Sequence, residues 1–182
     1  MNWKDLGSYK KILVVDLETD GLNPSSDRIV EIGIASLDAS TLEISEEYSN
    51  LIKDKYLNAE AWIFENTDLT KEKVLSAGKR FEKIESEIQK LFNQFPACAY
   101  NAKFDFGFLK SYGIRIENTI FDPMPIMRDH LKIPHWKYGF KLPSVQECLD
   151  YLGIKKQEPH RALRDAMLEA EIIKQMIKEG IV

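Results

Sequence analysis

The apolar run Ile12-Leu13-Val14-Val15, opened by Lys11, is β-branched and continuous, the pattern of a strand buried on both faces. A turn follows at Gly21-Leu22-Asn23-Pro24-Ser25-Ser26. From Arg28 to Leu37 the chain then alternates, with Ile29, Glu31 and Gly33 on one side and Val30, Ile32 and Ile34 on the other. Leu42 to Ile52 resumes extended character after Asp38-Ala39-Ser40-Thr41, so the first three strands are expected to form an antiparallel meander. The middle is irregular until Phe81, Ile84, Ile88, Leu91 and Phe92, whose spacing predicts a helix over 81–92 that only packs. Pro96 introduces a short strand, Ala97 to Tyr100. A helix from Phe104 to Tyr112 stops at Gly113, and a further strand ends near Phe121. Pro123 and Pro125 open another helical segment, and Ile133 to Gly139 reads as a loop. Two helices close the chain, about Pro143 to Leu152 and near Arg161 to Lys178. The second buries the stripe Ala162, Leu163, Ala166, Ala170, Ile173 and Ile177. Alternating strands and helices give an α/β fold, and with no repeat, linker or low-complexity tract residues 1–182 are expected to form one domain.

Charge enters this pattern where a core should continue. Asp16 and Glu18 follow the first apolar run, and positions i and i+2 of a strand face the same way, so two carboxylates share a face and suggest a divalent cation. A net charge of -4 argues against a protein that grips nucleic acid by bulk electrostatics. Lys137, Lys141, Lys155, Lys156, Arg161 and Arg164 nevertheless gather toward the C-terminal third, where they could offset the acidic remainder near a phosphate substrate. Trp136 and Tyr138 sit in the same basic loop, and both stacking on unpaired bases and local packing fit them. Cys98 and Cys148 lack ligand spacing and read as reduced, buried thiols of a cytoplasmic protein. The N-terminus, Met1-Asn2-Trp3-Lys4-Asp5, has no export pattern. No apolar run approaches the ~18 residues a membrane helix needs, so no membrane partner is expected.

Two more acids and a histidine stand out. Asp105 opens a helix after a strand, where a cap or a ligand would sit. Asp165 lies on the flank of the last apolar stripe, about 60° around from Ala162, where a partly buried carboxylate needs a partner. His160, five residues earlier, would be roughly 140° from Asp165 on an ideal helix. Pro159 resolves this by placing the helix start there. The imidazole then lies on the approach while Asp165 is held inside, an arrangement suited to a base that reaches a water.

Together, Asp16-Leu17-Glu18-Thr19-Asp20-Gly21-Leu22, Asn101-Ala102-Lys103-Phe104-Asp105 and His160-Arg161-Ala162-Leu163-Arg164-Asp165-Ala166 resemble the three motifs of the DEDD-type 3′-to-5′ exonucleases, histidine subtype. That family includes the proofreading epsilon subunit of bacterial DNA polymerase III and ribonuclease T. The resemblance spans about residues 11 to 178. It implies a ribonuclease H-like fold, a mixed five-stranded sheet flanked by helices. It also implies that Asp16, Glu18, Asp105 and Asp165 hold two Mg²⁺ or Mn²⁺ ions while His160 deprotonates the attacking water. The chemistry has independent grounds: hard cations prefer oxygen ligands, and a pair of them roughly 3.5–4 Å apart stabilises both oxygens of a phosphodiester displacement. By the same resemblance Glu18 and His160 also meet substrate, Thr19 and the adjacent backbone meet the terminal 3′-hydroxyl, Leu22 wedges against the last base, and Asn101 and Phe104 line the path. Leu22 and Phe104 fit a core equally well, and Asp122 fits either a supporting acid or a helix N-cap.

The chain departs from the family pattern at Asp20, where a threonine is usual, and at Tyr100, where histidine is common. Asp20 is expected to bring extra negative charge toward the substrate terminus. No segment like the one that docks the proofreading subunit to its polymerase is evident, so a stand-alone nuclease is expected. The implied reaction is release of nucleoside 5′-monophosphates from single-stranded 3′ ends of DNA or RNA. An RNA-trimming enzyme and a non-cleaving nucleic-acid-binding adaptor are the alternatives.

Overall fold

The structure, a computed structural model, describes residues 9–137 and 139–182; Met1 to Asp5 and Tyr138, to which expectations were attached, lie outside the described residues. Its centre is β1 (Lys11–Thr19), longer than the apolar run alone. β2 (Ile29–Asp38) and β3 (Ile44–Leu51) follow as the expected antiparallel meander, and β4 (Ala97–Cys98) pairs with β1 in parallel, giving the order β3-β2-β1-β4. The period-2 alternation of β1 feeds two cores. Leu13, Val15 and Leu17 pack with Ile84, Ile88, Phe106 and Phe108 on one face, and Ile12 and Val14 with Cys98, Ala170 and Ile173 on the other. Helices therefore cover both faces of a mixed sheet.

On the first face lie α3 (Glu85–Gln94) and α4 (Ala102–Ser111); α7 (Ala162–Lys178) covers the second. The irregular middle contains two short helices, α1 (Trp62–Asn66) and α2 (Lys71–Ala77). α5 (Pro123–Leu131) and α6 (Val145–Tyr151) complete the set, and α6 starts at a reciprocal cap between Ser144 and Glu147. Cys98 and Cys148 are buried free thiols, as expected. No helix among the described residues is long and apolar enough to cross a membrane.

Three elements differ from expectation. The sheet has four strands among the described residues rather than five. The segment ending near Phe121 contributes a single parallel bridge, Thr119 to Ala97. β4 ends after two residues because Asn101 turns into α4 with a φ of 66°, and Pro123 starts α5 directly, so neither partner has length for a ladder. The helix expected over 81–92 opens as a 3₁₀ turn at Phe81–Lys83, and the α-helix begins only at Glu85 because Ile84 leaves helical geometry at φ -121°. The loop 133–139 folds back as a small hairpin, β5 (Pro134–His135) with β6 (Gly139–Phe140), where Gly139 supplies a φ of 78°.

One glycine sets how the second layer sits. Gly33 pairs with Asp16 across β1 and β2, and a Cβ built on it would lie 2.1 Å from the backbone carbon of Ala162. The first turn of α7 thus rests directly on β2, opposite the strand position that carries the first acid.

Candidate active site

Asp16 and Glu18 come from the end of β1, on one face as the alternation requires. Asp105 enters from the first turn of α4. That helix is anchored by Asp122, whose carboxylate accepts the N–H groups of Asn101 (3.1 Å) and Ala102 (2.9 Å) while also capping α5 through the N–H of Met124 (2.9 Å). Asp122 is therefore both the supporting acid and the cap. Asp105 is fully buried and its Oδ1 accepts the N–H of Leu17, between the two β1 acids, at 3.2 Å. Asp165 enters from the first turn of α7, where its Oδ2 accepts the N–H of Arg161 at 2.7 Å. Its other oxygen, Oδ1, is buried with no hydrogen-bond partner.

His160 lies just before α7, as the proline predicted, in a left-handed conformation with φ 51°. A ring nitrogen of His160 and carboxylate oxygens of Glu18 and Asp165 lie within 4.8 Å of one another. The five expected residues thus converge from β1, α4 and the α7 approach. Two acids that the sequence reading missed join them. Glu169, one turn beyond Asp165, is buried, accepts the N–H of Tyr100 (3.1 Å) and is a main source of repulsion at Asp16. Glu31, opposite Glu18 on β2, is buried and holds Arg161 bidentately, at 2.9 and 3.0 Å. The sequence signal was available: each interrupts an apolar face, Glu169 between Ala166 and Ala170, Glu31 between Ile29 and Gly33.

Crowding raises the pKa of the acids. Burial is the largest cause at Asp16, which keeps a partly open edge, followed by repulsion from Glu169, Asp105, Glu18 and Asp165. Glu18 is pushed up to about 8 by burial and then by Asp165 and Glu31, and Asp165 to about 7 by burial, against the lowering pull of the Arg161 N–H. Burial also raises Asp105 and Glu169. Burial and neighbouring carboxylates are the largest influences at Asp16 and Glu18, and Arg161 is turned to Glu31 and Asp68. Lys141 and Lys156 are likewise paired, with Glu147 and Glu171. An oxygen-rich donor set with an orphaned carboxylate oxygen fits a hard divalent cation.

A carboxyl whose pKa rises on folding binds its proton more tightly in the folded chain. Its stabilising contribution is complete below its ordinary value and is lost as pH climbs through the folded value. For Glu18 that window runs from 4.5 to about 8. In chelator, the melting temperature is expected to fall by several degrees from about pH 4.5 to about pH 8. Mn²⁺ is expected to restore most of the loss at the upper end, as scanning fluorimetry across that range would show.

The remaining expected contacts separate in exposure. Leu22 is 83% exposed, so it is no core residue. Phe104 is half-buried against Phe108, ring centroids 5.1 Å apart, and Asn101 is exposed. The Thr19 hydroxyl donates to the Gly21 carbonyl at 2.7 Å, which leaves its lone pairs open to a donor. Asp20, expected to bring charge toward a substrate terminus, is buried. Its carboxylate accepts the N–H groups of Arg28 (2.6 Å) and Asn58 (2.7 Å), tying two loops together, because these loop donors have no strand partner. The Tyr100 hydroxyl donates to the Pro143 carbonyl at 2.6 Å and supports the start of α6.

The sequence pattern of the Exonuclease family RNase_T matches residues 13–173. The chain is 28% identical over 171 residues to DNA polymerase III PolC-type of Clostridium perfringens, covering 92% of this chain and 11% of that relative, so it spans about a tenth of the relative's length. The nuclease domain of 3′hExo, a DEDDh family member bound to rAMP, superposes with a TM-score of 0.75 at 16% identity, covering 95% of this chain and 94% of that one. Exonuclease I of E. coli in complex with a 5cy-dA13 oligonucleotide superposes with a TM-score of 0.72 at 19% identity, covering 93% and 41%.

Proposed function

The chain belongs to the Exonuclease family RNase_T, and on that premise we propose that it is a metal-dependent 3′-to-5′ exonuclease releasing nucleoside 5′-monophosphates from single-stranded 3′ ends of DNA. Residues 1–182 act in this reading as one exonuclease domain. The observation that carries it is the clustering of Glu18, Asp165 and His160 within 4.8 Å of one another, with Asp105 bonded to Leu17 N–H between the two β1 acids and with mutual repulsion among Asp16, Glu18, Asp105 and Asp165. Those four acids would hold two Mg²⁺ or Mn²⁺ ions, which when bound polarise the scissile phosphate and make water a better nucleophile.

The chain's own residues supply the rest. His160, beside Glu18 and Asp165, accepts a proton from the attacking water on an imidazole nitrogen as the oxygen–phosphorus bond forms. The bond from phosphorus to the bridging 3′-oxygen breaks, leaving a nucleoside 5′-monophosphate and a strand shortened by one nucleotide. Thr19 accepts a hydrogen bond from the terminal 3′-hydroxyl, using lone pairs its contact with Gly21 leaves open. Exposed Leu22 lies against the terminal base, and Asn101 and half-buried Phe104 line the strand's approach. The buried free thiols support a reducing, cytoplasmic setting.

The similar structures were solved with a DNA oligonucleotide and with rAMP, so an RNA 3′-end trimming activity is the second reading. Labelled DNA and RNA oligonucleotides of one sequence, single- and double-stranded, with Mn²⁺ or with chelator, decide between them. Asp16→Ala is expected to remove activity, and His160→Ala to lower it about 10²–10⁴-fold near pH 7.5. Undiminished hydrolysis by both variants would refute the reading. Binding of single strands without shortening them would favour an adaptor.

A further inference from the structure

We propose that Trp62 is a positioning residue for His160, and that the segment from Trp62 to Asp68 clasps the corner from Glu158 to Arg161 so that the imidazole stays beside Glu18 and Asp165. The indole and imidazole rings stand at 88° with centroids 5.0 Å apart. The charged groups around the imidazole are the carboxylates of Glu18 and Asp165, which belong to the site itself, and Glu158 on the same corner; the indole is the ring packed against it from another element.

Backbone geometry makes such restraint necessary. A non-glycine residue at φ 51° is strained and persists only where its surroundings over-determine it. On the C-terminal side of the corner, the Arg161 N–H is tied to Asp165 and its guanidinium to Glu31. On the open side, the segment after β3 reaches across twice, through Trp62 to His160 and through Asp68 to the Arg161 Nη1 at 3.3 Å. That segment is itself fixed, since Ile63 and Leu69 are buried with Val30 and Val74 in a separate small core. Trp62 is 56% exposed, far more than packing alone requires, so its removal leaves little cavity.

The catalytic half of this inference rests on the nuclease reading, and the placement half does not. Two measurements on the purified full chain separate them. The chain has three histidines, so imidazole proton resonances can be assigned by substitution. The His160 ring protons are expected to be displaced by the indole ring current and to return to an unperturbed position in Trp62→Ala. With Mn²⁺ and a labelled oligonucleotide, Trp62→Ala is expected to lose about 10–100-fold in kcat with KM little changed and near-native melting. Trp62→Phe should recover most of that loss, and Asp68→Asn should fall in the same direction by less. An undisplaced His160 signal in the native chain, full kcat in Trp62→Ala, a loss confined to KM, or a phenylalanine variant no better than alanine would each overturn the proposal. Native protein inactive on every oligonucleotide would defeat the nuclease reading and the catalytic half with it, while the resonance comparison still decides the clasp.

Discussion

Asp165→Asn is expected to cut nucleotide release by on the order of 10²–10³-fold or more while raising the melting temperature of the metal-free protein. Both effects come from one observation. Asp165 holds the N–H of Arg161 with one oxygen and leaves the other buried and unpartnered beside Glu18 and His160. Asparagine preserves the first contact through its amide oxygen. It replaces the orphaned oxygen with a donor that can meet a neighbouring carboxylate, and it removes a charge that raises Glu18 and Asp16. The gain should be largest near pH 8, where Asp165 has passed its folded pKa of about 7, and should vanish near pH 4, where native Asp165 already carries its proton. With Mn²⁺ the order should reverse, because only the native chain keeps the full anionic set that a hard cation binds. Scanning fluorimetry of both proteins, in chelator and in Mn²⁺, reads all of this. Equal or lower melting of the variant in chelator at pH 8 would mean that the acids are not crowded as the structure has them.

Gly33→Val is the second large effect and works through packing alone. A Cβ at this position would meet the backbone of Ala162 and Leu163 at 2.1 Å, and backbone cannot rotate aside. Ordinary contact requires α7 to retreat by more than an ångström, which carries Asp165 and His160 away from the β1 acids. Overpacking of this kind costs typically 1–3 kcal/mol, and a misplacement near 1 Å costs about 10²-fold in rate. The variant should therefore unfold at lower urea and release nucleotides at least about 10²-fold more slowly. Gly107→Ala is the contrasting control: its nearest obstacle is a side-chain carbon of Pro24 at 3.3 Å, which can give way, so stability and activity should stay close to native. A Gly33 variant as active as the control would contradict the seating of α7 on β2.

How much of this was legible in advance follows the range over which each signal acts. The alternation in β2, the unbroken run in β1 and the 3.6-residue stripe of α7 are local, and each element formed where its pattern lies. The helix start beyond Pro159 was legible for the same reason. Where expectation and structure part, tertiary partners decided. Residues before Phe121 have strand character, but β4 offers only two residues before Asn101 turns away, so a strand shrank to a bridge. Asp20 was expected to bring its charge toward a substrate because it lies within the first motif; two backbone donors from residues 8 and 38 positions away claim its carboxylate.

The sequence by itself determined which residue types the site holds, in what order, and on which kinds of element, because alternation and helical spacing dictate facing within an element. Only the tertiary structure decided which charges share a pocket. Asp105 reaches Leu17 across 88 positions, Arg161 reaches Glu31 across 130, and Glu169 becomes part of the acidic cluster only because Gly33 lets α7 touch the sheet. Repulsion and desolvation depend on distance and burial rather than on position along the chain. The raised acids and the orphaned oxygen of Asp165 are therefore properties of packing that no single motif encodes.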